Sequence, residues 1–123
     1  MAATTQAVAI KGIDVTTYLV KEPKRAIAFW RDVMGLPATY VSDQGAEFEL
    51  ADGTTFGLWR MDDGTWHPGH GVMFHVDDVQ AAADHYRSRG AQILEHIEVE
   101  TQCSMAFGED TEGNHFILHQ VNR

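Results

Sequence analysis

Apolar and polar residues alternate in short blocks along this chain, and the blocks come in two similar sets. Near the C-terminus stands Gly113-Asn114-His115-Phe116-Ile117-Leu118-His119-Gln120, and about half a chain earlier Gly53-Thr54-Thr55-Phe56-Gly57-Leu58-Trp59-Arg60. Each stretch follows an acidic turn, Glu112-Gly113 or Asp52-Gly53. Successive side chains of a strand point to opposite faces. Phe56, Leu58, Phe116 and Leu118 therefore make one plain apolar face. Gly57, Trp59, His115, Ile117 and His119 make a mixed face of the kind that lines a ligand cavity.

The same periodicities predict the elements in between. Ile10 to Val20 reads as a first strand, with Val15, Thr17 and Leu19 on one face. Pro23 suits the first turn of a helix, Ile27, Trp30 and Met34 recur at helical spacing, and Gly35 ends the helix as a C-cap. Pro37 to Ser42, Ala46 to Leu50 and Thr54 to Met61 read as strands, the last two joined at Asp52-Gly53. Asp62 to Gly69 is rich in turn residues and marks a boundary. The order then restarts. Gly71 to Val76 is a strand, with Met73 and His75 on one face, and Asp77 or Asp78 caps a helix whose stripe is Val79, Ala83 and Tyr86 and which Gly90 ends. Ala91 to Val99, Gln102 to Phe107 and His115 to Val121 follow as strands. In the middle one, Cys103, Met105 and Phe107 are expected under a helix, and Gln102, Ser104 and Ala106 on the opposite face.

The repeat predicts an α+β fold of two βαβββ modules, residues 10–61 and 70–121, within a single domain spanning 1–123. Val20 matches Val76, Trp30 matches Tyr86 and Gly53 matches Gly113. Phe48, Phe56, Phe74 and Phe116 belong on the helix-covered side. Thr17, Glu47, Glu49, Trp59, Met73, His75, Ser104, His115 and His119 fall on the other. A sheet with helices on one face needs a partner for its open face. The other module supplies it, and the space between is a cleft. Within it Trp59, His75 and His119 are expected to line one ligand pocket, with Glu47 and Glu49 near the rim. Trp59 offers a flat stacking surface and one N–H donor, or else fills the module interface.

Composition narrows the function. A net charge of −9 argues against nucleic acid and anionic membranes as partners and permits a cationic ligand. No apolar run is long enough to span a membrane, and Met1 to Ala9 lacks the basic and apolar regions of a secretory signal. Cys103 is the only cysteine, which rules out an intrachain disulfide and suits a reducing cytoplasm. No Gly-x-Ser-x-Gly elbow supports nucleophilic catalysis, and no catalytic residue is assigned.

Two βαβββ modules in about this length, the stretch from Ala26 to Leu36, the Val76-Asp77-Asp78 helix start and the run from Glu109 to Phe116 together resemble the vicinal oxygen chelate superfamily. Its members include glyoxalase I, extradiol dioxygenases, and fosfomycin- and bleomycin-resistance proteins. The resemblance implies cupped mixed sheets and a homodimer. It also implies a divalent metal held from the first and fourth strands of each module. Those positions correspond here to Val15, Gly57, Gly71 and Ile117, none of which offers a side-chain ligand. His115 and His119 share a face but stand roughly 13 Å apart along a strand, too far for one ion. His75, His119 and Glu49 are the remaining two-His, one-carboxylate set. The expectation is a small-molecule-binding protein without metal or other cofactor, in drug sequestration or resistance. The alternatives are a metal-dependent glyoxalase-like lyase or dioxygenase, and a regulatory or structural dimer with a vestigial cleft.

Overall fold

The computed structural model describes residues 8–122; the part of Met1–Ala9 that bears on a signal sequence lies outside this range up to residue 7, as does Arg123. The element order is β1 (Thr16–Leu19), α1 (Pro23–Ala28, continued by a π-helical turn over Phe29–Val33), β2 (Ala38–Val41), β3 (Gly45–Glu49) and β4 (Thr55–Trp59). It repeats as β5 (Val72–His75), α2 (Val79–Ser88), β6 (Gln92–Val99), β7 (Cys103–Glu109) and β8 (His115–Val121). Each set makes a four-stranded mixed sheet, in the orders β1-β4-β3-β2 and β5-β8-β7-β6. The first strand of each set runs parallel to the last, and the other pairs are antiparallel.

The first strand is shorter than its sequence pattern suggests. Residues 10–13 are exposed and carry no ladder, because β4 offers partners only to Thr16–Leu19. The first helix also departs from a regular 3.6 period. Met34 N–H donates to the Phe29 carbonyl at 2.9 Å, an i→i+5 bond. This wider turn lets the neighbours Phe29 and Trp30 both bury. Gly35, at φ +76°, then reverses the chain. Asp78, and not Asp77, caps α2 by accepting from Ala81 N–H at 3.0 Å.

One strand is turned over relative to the expectation. Ser104 pairs with Gln120, whose side-chain oxygen accepts from Val79 N–H at the start of α2 at 2.8 Å. Ser104, Ala106 and Gly108 therefore lie beneath α2, and Cys103, Met105 and Phe107 face the open side. Residue size decides this. A Cβ placed on Gly108 would come within 2.5 Å of the Phe116 ring, so that ring covers Gly108 and leaves no room for a side chain there. Hydrophobicity alone pointed the other way.

The two helix-covered faces share one core. Trp30 lies 4.8 Å from Phe56 of the first sheet and 5.3 and 5.1 Å from Phe74 and Phe116 of the second, centroid to centroid. A buried polar plug locks the same junction. The β7–β8 turn inserts against the end of β1, where the Glu112 carboxylate accepts from Lys21 and Glu22 N–H at 2.7 and 2.8 Å and from the Arg25 guanidinium at 2.6 Å. Asp110 accepts from the Trp30 indole at 3.2 Å, and Asn114 accepts from Gly69 N–H at 2.7 Å. Because the core lies behind both sheets, their open faces look outward.

Candidate functional site

Each open face carries a depression. The first, of about 310 Å³, has Gly57 in its floor and is bordered by Val15, Thr17, Tyr40, Glu47 and Trp59. The shared face follows from register. Thr17 pairs with Gly57, Gly57 with Glu47, and Glu47 with Tyr40 across four neighbouring strands. Trp59 is 39% exposed, which places its ring at this opening and outside the core. Glu49 lies on the same face opposite Thr55, beyond the depression.

The second depression, of about 490 Å³, is bordered by His70, Gly71, Phe107, His115 and Ile117. The His115 imidazole stands 3.2 Å from the Glu109 carboxylate. His119 pairs with His75 on one side and Met105 on the other, and Met73 pairs with Ile117, so all five share this face. His75 Nε2 lies 3.2 Å from Asp77 and borders a separate cavity between the modules. Behind this sheet Tyr18 reaches across from β1 and donates to the His115 carbonyl at 2.5 Å. Burial pushes the Tyr18 phenol up to about 12, so it remains a donor.

Within one chain, then, Trp59, Thr17 and Glu47 gather at one opening and His115 at the other, and among the described residues none borders both. Trp59 does not share a depression with His75 or His119. Ser104 is removed from the open face by the strand reversal. Sequence reasoning missed Tyr40, because a register shift between Ala38 and Tyr40 hides which face β2 presents. It missed Met105 and Phe107 for the reason of size given above.

A model of the glyoxalase/bleomycin resistance protein/dioxygenase superfamily matches residues 12–118. The chain belongs to that superfamily. Members have been solved that share its fold at low identity. TnmS3, an antibiotic-binding protein from Streptomyces, superposes with a TM-score of 0.77 at 19% identity, over 94% of this chain and 99% of its own. A superfamily member from Sphaerobacter thermophilus gives 0.77 at 18%, over 90% and 98%. Lactoylglutathione lyase from Agrobacterium tumefaciens gives 0.69 at 22%, over 91% and 95%. Comparison with curated proteins finds no sequence match.

The metal common in this superfamily does not suit the residues present. By the resemblance, the corresponding positions are Val15, Gly57, Gly71 and Ile117, whose side chains supply no donor. Even a Cβ on Gly57 would press on Val15 Cγ1 at 3.0 Å and Thr17 Oγ1 at 3.2 Å, so the floor is already filled by nonligating groups. Among the described residues, no three His, Cys, Asp or Glu side chains gather as a metal site. No helix among them is long and apolar enough to cross a membrane.

Proposed function

We propose that this superfamily member binds a small organic molecule through side chains alone, without a metal at the family position, in a cleft that a second copy of the chain completes. The observation that carries this reading is the outward pair of depressions. Ligand sites of drug-like size occupy about 300–1,000 Å³ and bury most of the ligand. Openings of about 310 and 490 Å³ are large enough, yet each is walled by a single sheet. A twofold that set the first sheet of one copy over the second sheet of another would enclose both. It would bring Trp59 opposite His115 and His119, giving a flat apolar surface facing titratable groups. A planar, partly polar molecule suits such walls. The antibiotic-binding role of TnmS3 supports testing antibiotics first, with sequestration in a reducing cytoplasm as the setting.

The test couples oligomeric state to binding. Light scattering is expected to give a dimer at micromolar concentration. A thermal-shift screen of aromatic antibiotics should raise Tm, since a ligand selective for the folded state adds stability. Trp59→Ala should abolish that rise while leaving the fold intact. A monomer, or an unchanged rise in Trp59→Ala, overturns the composite cleft. Stoichiometric zinc, nickel, manganese or iron in protein purified without chelator overturns the metal-free reading in favour of a lyase or dioxygenase.

A further inference from the structure

A third cavity, of about 250 Å³, lies between the modules on the helix side, away from both open faces. Its inner wall is Trp30, Met34, Phe74 and Leu118, with Tyr86 beside them. Ala51, Asp52 and His75 are at its mouth. Apolar cavities of about 150 Å³ hold benzene, so one aromatic ring fits here.

The mouth has a fixed charge with spare capacity. Asp52 Oδ1 accepts from Thr54 N–H at 3.0 Å and from the Thr54 hydroxyl at 2.6 Å. Its Oδ2 has no protein hydrogen-bond partner among the described residues. The repeat shows what is absent. Asp52 is the counterpart of Glu112, since Gly53 and Gly113 follow them at φ +86° and +83°. Glu112 receives the Arg25 guanidinium at 2.6 Å. With Val20 matched to Val76, the counterpart of Arg25 is Ala81, which carries no charge. The cavity thus lies where the first module's turn meets the second module, with the His75 imidazole near Asp52 and no guanidinium like the one that closes the other junction. Aromatic walls favour cations through their ring faces, and a net charge of −9 draws them in.

We propose that this inter-module cavity binds a small aromatic amine, with its ring against Phe74 and Tyr86 and its ammonium on Asp52. The site is separate from the open-face cleft and does not depend on that reading. Benzylamine is the probe, with benzyl alcohol as a neutral match and benzoate as an anionic one. Titration of the isotope-labelled protein, followed by amide NMR, should shift Leu36, Ala51 and Phe74. Benzylamine should bind at least tenfold more tightly than benzyl alcohol, and benzoate more weakly than either. Asp52→Asn keeps the Thr54 contacts and should reduce benzylamine to the level of the alcohol. Trp59→Ala should change nothing here. Absence of shifts at these residues at millimolar benzylamine overturns the site. Equal affinity for amine and alcohol, or an unaffected Asp52→Asn, overturns the amine assignment.

Discussion

The two modules close their last hairpins with the same backbone turn and use it differently. In the first, Leu50 N–H donates to the Thr54 carbonyl and Gly53 N–H to the Leu50 carbonyl, both at 2.9 Å. In the second, Asp110 N–H donates to the Asn114 carbonyl at 2.9 Å and Gly113 N–H to the Asp110 carbonyl at 3.3 Å. Both glycines adopt positive φ, which few other residues tolerate. The side chains separate the two. Asp110, Glu112 and Asn114 are buried and bonded across to β1, α1 and the linker. Leu50, Asp52 and Thr54 make no such plug, and a cavity stands beside them. One turn works as a structural rivet and the other as the lip of an opening. Backbone repetition in this chain does not carry equivalence of role.

The largest expected break of this contrast is Glu112→Ala. It leaves Lys21 and Glu22 N–H without their acceptor in a part-buried place. An orphaned buried donor costs about 1–3 kcal/mol, so a loss of about 3 kcal/mol is expected in denaturant unfolding. Arg25 is half exposed and rehydrates, which limits the cost on its side. Asp52→Ala, at the equivalent place, should lower Tm by only a small fraction of that shift. Equal losses would show that the two turns carry the junction alike.

Tyr18 sharpens the same contrast through pH. It lies beside the riveted junction, donating to the His115 carbonyl, and burial raises its phenol from 10.0 to about 12. A raised folded-state pKa favours the protonated form on folding. The stabilisation is complete below pH 10.0 and is lost as pH rises through about 12. Tyr18→Phe should cost about 1 kcal/mol at neutral pH through the lost hydrogen bond, and should remove the Tyr18 part of the decline across that alkaline window. Unfolding midpoints recorded from pH 8 to 12 with both proteins test this; parallel curves would refute it.

Much of this architecture was legible in the sequence because it rests on strong local signals. Pro23, Gly35, Gly53, Gly90 and Gly113 punctuate the chain where backbone geometry demands them. Phe48, Phe56, Phe116 and Leu118 sit on the helix side as their alternation requires. The face of β7 was illegible because alternation gives two faces without saying which is covered. Cys103, Met105 and Phe107 are the more apolar set, yet the covered face carries Ser104, Ala106 and Gly108, where the Phe116 ring leaves Gly108 no room for a side chain. The separation of Trp59 from His119 was illegible for another reason. Matching places in two modules do not reveal whether the two open faces turn toward each other, and here the shared core around Trp30 turns them apart. Glu112 was read only as part of a turn, although an acidic residue before a glycine and an Arg25 at the start of a helix were both visible. Their pairing depends on a contact between residues far apart in the chain.

The smallest expected effect on stability belongs to Ala81→Arg, which tries to copy the second junction into the first. Ala81 is exposed on the first turn of α2, at the place corresponding to Arg25 on α1. Two influences oppose one another. A cation near a helix N-terminus meets the positive end of the helix dipole, a penalty of about 0.3–1 kcal/mol. Against this, the guanidinium gains Asp52, whose carboxyl is held below its usual range chiefly by the Thr54 hydroxyl and so remains ionised at neutral pH. Tm should therefore stay close to that of the parent protein. Benzylamine affinity should fall at least as far as in Asp52→Asn, because the new side chain occupies the ammonium position, while binding in the open-face cleft stays unchanged. A clear rise in Tm would mean that the dipole penalty is smaller than the gain from Asp52. Unchanged benzylamine binding would mean that Ala81 does not stand over the mouth, and the correspondence between the two junctions would fail at that residue.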